Sequence, residues 1–595
     1  MKNKRLIAGH IVIYCVYGLA ALAGLLALIN RAKYGIDFSD ESWYVAEPYI
    51  VSEGAIPFVN NWTQAPGFTI PLALFFKAFT AITGGTEGIF LFSRILFAIW
   101  IFSIMLLIVI LIGRKLDKAI PIVFVFALVS IVPHSLYDIN YNTIGVVYLF
   151  LACTLIYMVP SEKENKIHVT HLIGGCVIAR AIIGTPHLIL PWLGIIIIYI
   201  ARKQKAKLLS FLLGNAIMTI IVVGWCCIVG GTGDLIAGMQ ALIGDMAYFK
   251  ITGHRNYEND WEYINELCIP VIYFTFLTLI FKMVKSQYCK IVLYGMLILS
   301  IACGGHELLS SGICMESVKW FWFVPIDVAL LGDISPQYAR IVKGFAITTV
   351  WYIIVYLFSS AGNILGFGSR EYWLMVPCIL GVLSLYYAIE HKLLAYIGAF
   401  VGIIVIGIGL IRSNYNFVYR DQEFPELNTV VESGIWKGCY TTPSRAENIV
   451  RLEQYIRSIT NSADMVLLLD QVPFGYLMIN GTACSPTTAD PMLYTYGVDN
   501  PEIMFDYFSI VDKVPNKIIY IDFGRDEKLS IYNDWKFNNF VNKYYAQVQN
   551  YSIGEVTERL NEQDDADKAS FLVKYYEIID YNAAYEEVEQ WENSH

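Results

Sequence analysis

Long uninterrupted apolar runs recur along the first two thirds of the chain, and they constrain the fold more than any other feature. A run of roughly 20 apolar residues is long enough to cross a bilayer as a helix. Only helices and closed barrels satisfy their backbone hydrogen bonds in lipid, and a barrel would show short alternating segments instead of continuous runs. The chain is 56% hydrophobic and its mean hydropathy is +0.52, far above the values of soluble proteins. The sequence therefore predicts a polytopic α-helical membrane protein.

The apolar runs predict a bundle of about 13 transmembrane helices. Two of them, 169–184 and 186–201, are short and are joined by a Gly-Thr-Pro turn, which favours a helical hairpin. The segment 67–83 is apolar but contains Lys77 and is flanked by proline and glycine, so we expect it to lie along the membrane surface. The approximate bounds of the predicted spans are 6–29, 90–112, 119–133, 143–159, 169–184, 186–201, 208–229, 265–281, 289–304, 318–332, 344–360, 372–389 and 393–412.

Lysines and arginines concentrate on alternate sides of the predicted spans, and they set the orientation through the positive-inside rule. The N-terminal Lys2, Lys4 and Arg5 fall on the same side as the later basic clusters, so we expect that side to be cytoplasmic. An odd number of spans then places the residues after Arg412 outside the cell. The first run, 6–29, is too long for a signal-peptide core and is expected to remain as the first span. This plain multi-pass pattern fits a bacterial plasma membrane.

The hydropathy falls after the last apolar run, and the residue pattern changes with it. Apolar residues recur at helical spacing over 444–459, and short β-prone runs occur at 465–469 and 517–521. This alternation predicts a small α/β domain. We therefore divide the chain into a transmembrane catalytic domain, 1–412, and an extracytoplasmic α/β domain, 413–595, with an acidic C-terminal tail.

Charge and cysteine content exclude several classes of function. The formal net charge is −9 and the acidic residues crowd the last third of the chain, which argues against a nucleic-acid partner. The 12 cysteines show no metal or disulfide spacing, although Cys439 and Cys484 fall in the polar part, where they could pair or stay free. His168 and His171 are three residues apart but lie at the cytoplasmic side without a third ligand, so no metal site is predicted.

The candidate chemistry lies in the first outer loop, residues 30–89, which contains the adjacent acids Asp40 and Glu41. Asp138 and Asn140 belong to the second outer loop and are expected on the same face. A carboxylate there can take a proton from an acceptor hydroxyl, and two adjacent acids could also hold a divalent cation. The alternative interpretation is that these are solvated loop acids and a polar turn.

Several cations on the outer face run against the positive-inside trend, and Arg94, Arg180 and Arg370 are among them. A guanidinium in an apolar run is costly unless it faces a cavity or a partner, and a phosphate is one such partner. Snorkelling towards the lipid headgroups is the alternative. Tyr44 and Trp62 could stack on a sugar, or they could belong to an interfacial aromatic belt.

The stretch 40–71 joins Asp40, Glu41 and Tyr44 to an apolar segment with proline and glycine, and Arg94 follows at the second span. With this topology, the chain resembles the GT-C superfamily of integral-membrane glycosyltransferases. The branch it resembles most contains protein O-mannosyltransferases and bacterial aminoarabinose lipid A transferases. The resemblance covers the predicted membrane domain in architecture. Its specific motif content is confined to residues 40–71, with weaker echoes at 138–142 and 359–363.

This resemblance implies that a sugar moves from a polyprenyl-phosphate donor to an extracytoplasmic acceptor, usually with inversion. Asp40 would be the base, with Glu41 beside it. The lysine that relatives often carry near the tip of the short hairpin has no clear match, and Arg180 or His187 could take its place. The resulting site residues are Asp40, Glu41 and Asp138 for catalysis, Arg94, Arg180 and Arg370 for the donor phosphate, and Tyr44, Trp62 and Asn140 for substrate contacts.

Two other interpretations compete with the glycosyltransferase. A transporter or lipid flippase would favour inverted repeats and ionisable residues near the bilayer midplane, and the sequence shows no repeat. A non-catalytic envelope protein that binds a partner through its C-terminal domain would leave the acidic first loop unexplained. We therefore expect a glycosyltransferase.

Overall fold

The structure is a computed structural model of the full chain, and helices dominate it up to residue 388. The residues that it describes are 19, 22–62, 66–113, 136–160, 167–230, 235–236, 257–284, 287–311, 315–332, 334, 336–358, 367–388, 408, 415, 418–469, 472–488, 503–522, 536–558 and 567–592.

The described helices of the first part form from the apolar runs of the sequence. Four segments of these described helices are long and apolar enough to cross a membrane: Ile89–Ile112, Tyr141–Met158, Lys205–Gly230 and Tyr338–Tyr356. The count of about 13 spans stays a prediction, since two of the predicted spans, 119–133 and 393–412, fall almost entirely outside the described residues. The bounds are α1 Leu22–Arg31, α2 Asp40–Ser52, α3 Thr69–Thr83, α4 Ile89–Gly113, α5 Tyr141–Cys153, α6 Val169–Gly184, α7 Ile189–Ala201, α8 Lys205–Gly230, α9 Tyr257–Val284, α10 Gln287–Ser311, α11 Met315–Trp322, α12 Val324–Leu331, α13 Pro336–Phe358 and α14 Phe367–Ala388.

Helix α3 occupies the segment for which the sequence predicts a surface helix. Leu72 and Phe76 on one side of it are buried, whereas Leu74 and Ile82 are 74% and 84% exposed. The helix therefore packs one apolar side on the protein and presents another outward, which is the arrangement expected of a helix at a membrane surface.

An α/β unit follows the helices and contains a five-stranded sheet in the order β4-β3-β5-β7-β6. Strand β3 runs parallel to β4 and β5, while β7 pairs antiparallel with β5 and β6. The predicted helix and both predicted strands of this part are confirmed. Its bounds are β1 Thr429–Val430, β2 Tyr440–Thr441, α15 Pro443–Ile459, β3 Met465–Leu469, β4 Thr482–Ala483, α16 Ile503–Val511, β5 Lys517–Asp522, α17 Lys536–Tyr544, β6 Tyr545–Glu558, β7 Asp567–Ile578 and α18 Tyr581–Glu592.

The first outer loop packs directly on this α/β unit. The ring of Phe38 lies 5.6 Å from that of Trp436 and 5.3 Å from that of Phe571, in one buried cluster with Phe474. Cys439 belongs to the same cluster, is buried and is not in a disulfide. Cys484 is also buried and free, so the alternative of a pairing between the two cysteines is not realised in this structure.

Two polar clamps hold the ends of the segment that contains Asp40. At the first end, the Ile36 N–H donates to Asp421 Oδ2 at 2.9 Å, and Arg445 Nη2 donates to the Ile36 carbonyl at 2.7 Å. At the other end, the buried carboxylate of Glu47 accepts hydrogen bonds from the Thr488 N–H at 2.6 Å and from the Thr487 hydroxyl. Burial raises the pKa of Glu47, and these bonds act against that rise. The α/β unit thus fixes the position of helix α2.

Candidate active site

The acidic pair predicted in a loop lies instead in the first turn of helix α2. Asp37 caps this helix, since its Oδ1 accepts the Ser39 N–H at 3.0 Å and its Oδ2 accepts the Glu41 N–H at 2.8 Å. A carboxylate at a helix N-terminus is favourable because it satisfies free N–H groups and complements the helix dipole. Neighbouring positions on a helix point in different directions, so Asp40 and Glu41 meet different partners.

Glu41 is buried in an ion pair with Arg94 of helix α4. The guanidinium donates from Nη2 to Glu41 Oε2 at 2.6 Å, and its Nε contacts the other carboxylate oxygen. It also donates to the carbonyls of Ala32 at 2.7 Å and Gly35 at 2.8 Å. These bonds occupy the guanidinium on several sides and tie α4 to the start of the first outer loop. The predicted contact between Arg94 and a donor phosphate stays a prediction.

Asp138, from the predicted second outer loop, lies at the same buried centre. Ser93 Oγ donates to its Oδ1 at 3.2 Å, while Oδ2 has no hydrogen-bond partner among the described residues. Burial raises the pKa of Asp138 well above its usual range, and repulsion from Glu41 adds to the rise while Arg94 opposes it. Asn140 caps helix α5 by accepting the Thr143 N–H at 2.9 Å.

Asp40 differs from the other acids because its side chain is 30% exposed, against 2% for Glu41 and 0% for Asp138. The Tyr419 hydroxyl donates to Asp40 Oδ2 at 2.8 Å, and Arg420 Nη2 lies 3.7 Å from the same oxygen. Arg420 also bridges to Asp37, with 3.6 Å between Nε and Oδ1. This arrangement gives a carboxylate that is oriented by two partners and still reaches the solvent.

Sequence reasoning missed Asp37, Tyr419 and Arg420. Arg420 adopts a positive φ of 57°, which is uncommon for a residue other than glycine. The available signal was the Tyr-Arg-Asp run that directly follows the predicted membrane domain, on the side expected to be extracytoplasmic. The sequence pattern places that run at the start of the C-terminal domain and gives no link to the first outer loop.

Among the three predicted phosphate ligands, Arg180 stands out because no described residue accepts a hydrogen bond from its terminal guanidinium nitrogens. Both terminal nitrogens of its guanidinium are buried and have no hydrogen-bond partner among the described residues. Gly67 of the first outer loop packs so closely on Gly184 that a Cβ at Gly67 would overlap the Gly184 backbone. A Cβ at Gly184 would in turn lie 3.8 Å from Arg180 Nη1, so this cation sits beside the first outer loop. Arg370 belongs to helix α14, and its side chain is outside the described part of the chain.

The aromatic residues predicted to contact a sugar are both buried. Tyr44 packs against Phe68 and Tyr141, with ring centroids 5.9 and 6.0 Å away. Trp62 packs edge-on against Tyr507 of the α/β unit at 5.5 Å and donates from Nε1 to the Val59 carbonyl. A sugar stacks on an exposed ring face, and neither ring presents one in this structure.

No group of three or more histidine, cysteine or acidic side chains able to hold a metal occurs among the described residues. Asp40 and Glu41 turn towards Arg420 and Arg94 respectively, so the two carboxylates do not converge on a shared position. The relative placement of Asp40 and Glu41 therefore does not support a divalent cation bound between them.

Asp37 makes the stability of the site depend on pH. Burial raises its pKa from 3.8 to about 7, the Arg420 charge opposes the rise and Asp40 adds to it. A carboxyl group with a raised folded-state pKa stabilises the fold fully below its unfolded pKa and loses that contribution as the pH rises through its folded pKa. We expect the Tm of the full-length protein to fall as the pH rises from about 4 to about 8, and this fall to be smaller in Asp37→Asn.

Thermal unfolding in detergent at several pH values checks this expectation. Glu432→Gln, which changes an exposed acid of the α/β unit, is the matched control and should keep the wild-type slope. An equal slope in wild type and Asp37→Asn would contradict the assignment.

Among known proteins, solved structures show a distant similarity to this chain. No family model matches the sequence, and a search of curated proteins finds no match. ArnT from Cupriavidus metallidurans in the apo state aligns with 95% of this chain and 98% of its own, at 11% identity and a TM-score of 0.42. A second solved structure is the archaeal oligosaccharyltransferase AglB from Archaeoglobus fulgidus in complex with an inhibitory peptide and a dolichol-phosphate. The alignment covers 89% of this chain and 73% of AglB, at 11% identity and a TM-score of 0.43.

A third solved structure, an Archaeoglobus fulgidus oligosaccharyltransferase in complex with Zn and sulfate, covers 93% of this chain and 73% of its own at 11% identity and a TM-score of 0.45. At this distance the similarity assigns no residue, substrate or role to the present chain.

Proposed function

We propose that this chain is a membrane glycosyltransferase that moves a sugar from a polyprenyl-phosphate donor to an extracytoplasmic acceptor, with Asp40 as the base. The observation that carries the proposal is the difference between Asp40 and its neighbours. Asp40 is partly exposed, whereas Asp37, Glu41 and Asp138 are buried. A general base has to come within hydrogen-bond reach of the acceptor proton, and Asp40 is the acid of this cluster that an acceptor can approach.

The reaction that fits this site is a single displacement at the anomeric carbon. The acceptor oxygen or nitrogen forms the new bond to that carbon while Asp40 takes the acceptor's proton. The bond from the anomeric carbon to the phosphate oxygen breaks, and its electron pair leaves with the polyprenyl phosphate. Attack opposite to the leaving group inverts the configuration.

Arg420 and Tyr419 are the residues we assign to the orientation of the base. Their contacts with Asp40 Oδ2 hold the carboxylate and leave its second oxygen as the acceptor of a proton. We assign Glu41 and Arg94 to the support of helix α2.

Arg180 is the residue we propose for the donor phosphate. A guanidinium buried without a protein acceptor is costly and is suited to an anionic ligand. It would offset the charge that develops on the leaving phosphate. Arg370 stays a second proposed ligand, placed on the outer face by sequence alone.

The proposal includes the membrane arrangement expected from the sequence. About 13 spans in 1–412 would cross a bacterial plasma membrane with a cytoplasmic N-terminus. The α/β unit, 413–595, would lie outside, where the acceptor is found. Its clamps on helix α2 support this placement because they require the first outer loop and the α/β unit to share one side.

The test uses full-length wild type in membranes and a panel of radiolabelled polyprenyl-phosphate hexoses and pentoses. We expect the label to leave the carrier of at least one donor and unlabelled polyprenyl phosphate to accumulate. Membranes from cells carrying the empty vector are the control. If a well-folded wild type consumes no donor with cell-envelope extract present as the acceptor source, the proposal fails, and lipid scrambling in vesicles then tests the flippase alternative.

A further inference from the structure

A buried acid lies in helix α12, away from the carboxylates of the candidate active site. Asp327 is 0% exposed, and neither of its carboxylate oxygens has a hydrogen-bond partner among the described residues. The hydroxyl groups of Thr275 and Thr278, on helix α9, face it. Both hydroxyl oxygens are also buried without a hydrogen-bond partner in the described part of the chain.

Contacts one helical turn away on each side fix the alignment of helices α9 and α12. Before the acid, the rings of Phe274 and Phe323 stack with centroids 4.1 Å apart and planes 3° from parallel. Beyond it, Lys282 Nζ donates to the Leu330 carbonyl at 2.6 Å. These contacts set Thr278 at the level of Asp327, because both lie four residues, or about one turn, after the stacked rings. The four oxygens are therefore held together by well-defined packing.

The charge at this position needs a partner. An isolated carboxylate inside a helical bundle is expensive, so buried acids are paired with a cation or lose their charge. Lys282 lies one turn away and is bound to a backbone carbonyl, and no ion pair joins it to Asp327. The acid therefore either takes up a proton or faces a cation, and carboxylate and hydroxyl oxygens are ligands that hard cations accept.

We propose that Asp327, Thr275 and Thr278 bind a monovalent hard cation of the sodium class. Carboxylate and hydroxyl oxygens are the ligands that such cations prefer. One carboxylate balances one positive charge, while a divalent ion would leave a net buried charge. The site ties α9 to α12, so the bound ion stabilises the bundle. This inference is independent of the proposed transferase activity.

Thermal unfolding of the full-length protein in detergent tests the site. Sodium chloride is titrated against choline chloride at constant ionic strength, and we expect sodium to raise the Tm by a few degrees with saturation. Asp327→Asn should abolish the sodium-dependent shift, and Thr278→Val should reduce it. Thr349→Val is the matched control, because Thr349 is another buried threonine whose hydroxyl has no hydrogen-bond partner among the described residues.

The outcomes separate a cation from a proton. The absence of any sodium-dependent shift in a folded wild type overturns the proposal, and Asp327 is then a neutral acid. A shift of full size in Asp327→Asn overturns it as well. If Asp327→Asn does not fold, the pair of threonine variants decides: equal sodium dependence in Thr278→Val and Thr349→Val counts against the site.

Discussion

Replacing Asp40 by asparagine is expected to lower the rate of donor consumption by about 10²–10⁴-fold, the range that general base catalysis usually contributes. Asparagine keeps the size of the side chain and can still accept the hydrogen bond from Tyr419, but it cannot take a proton at neutral pH. The fold should survive, since Asp40 is the partly exposed member of the cluster. Release of labelled sugar under single-turnover conditions measures the chemical step.

The matched control for this change is Glu53→Gln. Glu53 directly follows helix α2 and forms an exposed ion pair with Lys77 at 3.2 Å. It therefore lies beside the same helix but outside the cluster of acidic residues. Its rate should stay within a few-fold of wild type. A folded Asp40→Asn protein with the wild-type rate would remove Asp40 from the role of base and would make Asp138 the next residue to change.

Local sequence patterns indicate the acids of the candidate site but not their contacts. The acidic pair, the second acidic loop and the α/β character of the C-terminal part follow from local patterns, which residue spacing can reveal. The partners of Asp40 could not be predicted in this way, because Tyr419 is 379 residues away along the chain. Nothing in a single sequence indicates that a residue after the membrane domain returns to the first outer loop.

Burial also changes the interpretation of residues that the sequence assigns to substrate contacts. Trp62 and Tyr44 have the aromatic side chains expected of a sugar-binding surface, yet their rings pack inside the protein. Arg94 has the charge that a phosphate ligand needs, yet its guanidinium is engaged by Glu41 and two carbonyls. Residue type alone does not separate a cation that awaits a ligand from one that already has a partner, and this distinction is what favours Arg180.

Removing the charge of Arg94 is expected to destabilise the protein by about 3–5 kcal/mol, because it leaves a buried carboxylate without its counter-charge. In Arg94→Met, Glu41 would keep its burial and lose its cation, and the carbonyls of Ala32 and Gly35 would lose their donors. The expected result is a large fall in Tm and in the denaturant concentration at the midpoint of unfolding. Lys437→Met is the matched control, since it breaks an exposed pair with Glu87 and should cost less than about 1 kcal/mol.

The double variant Glu41→Gln/Arg94→Met distinguishes a supporting ion pair from a substrate ligand. If the pair supports helix α2, removing both charges should recover part of the lost stability, because no buried charge is left alone. A stable Arg94→Met protein with weakened donor binding would instead make Arg94 a phosphate ligand. In that case Glu41 would release its partner when the donor arrives, and the ion pair would belong to the resting state of the site.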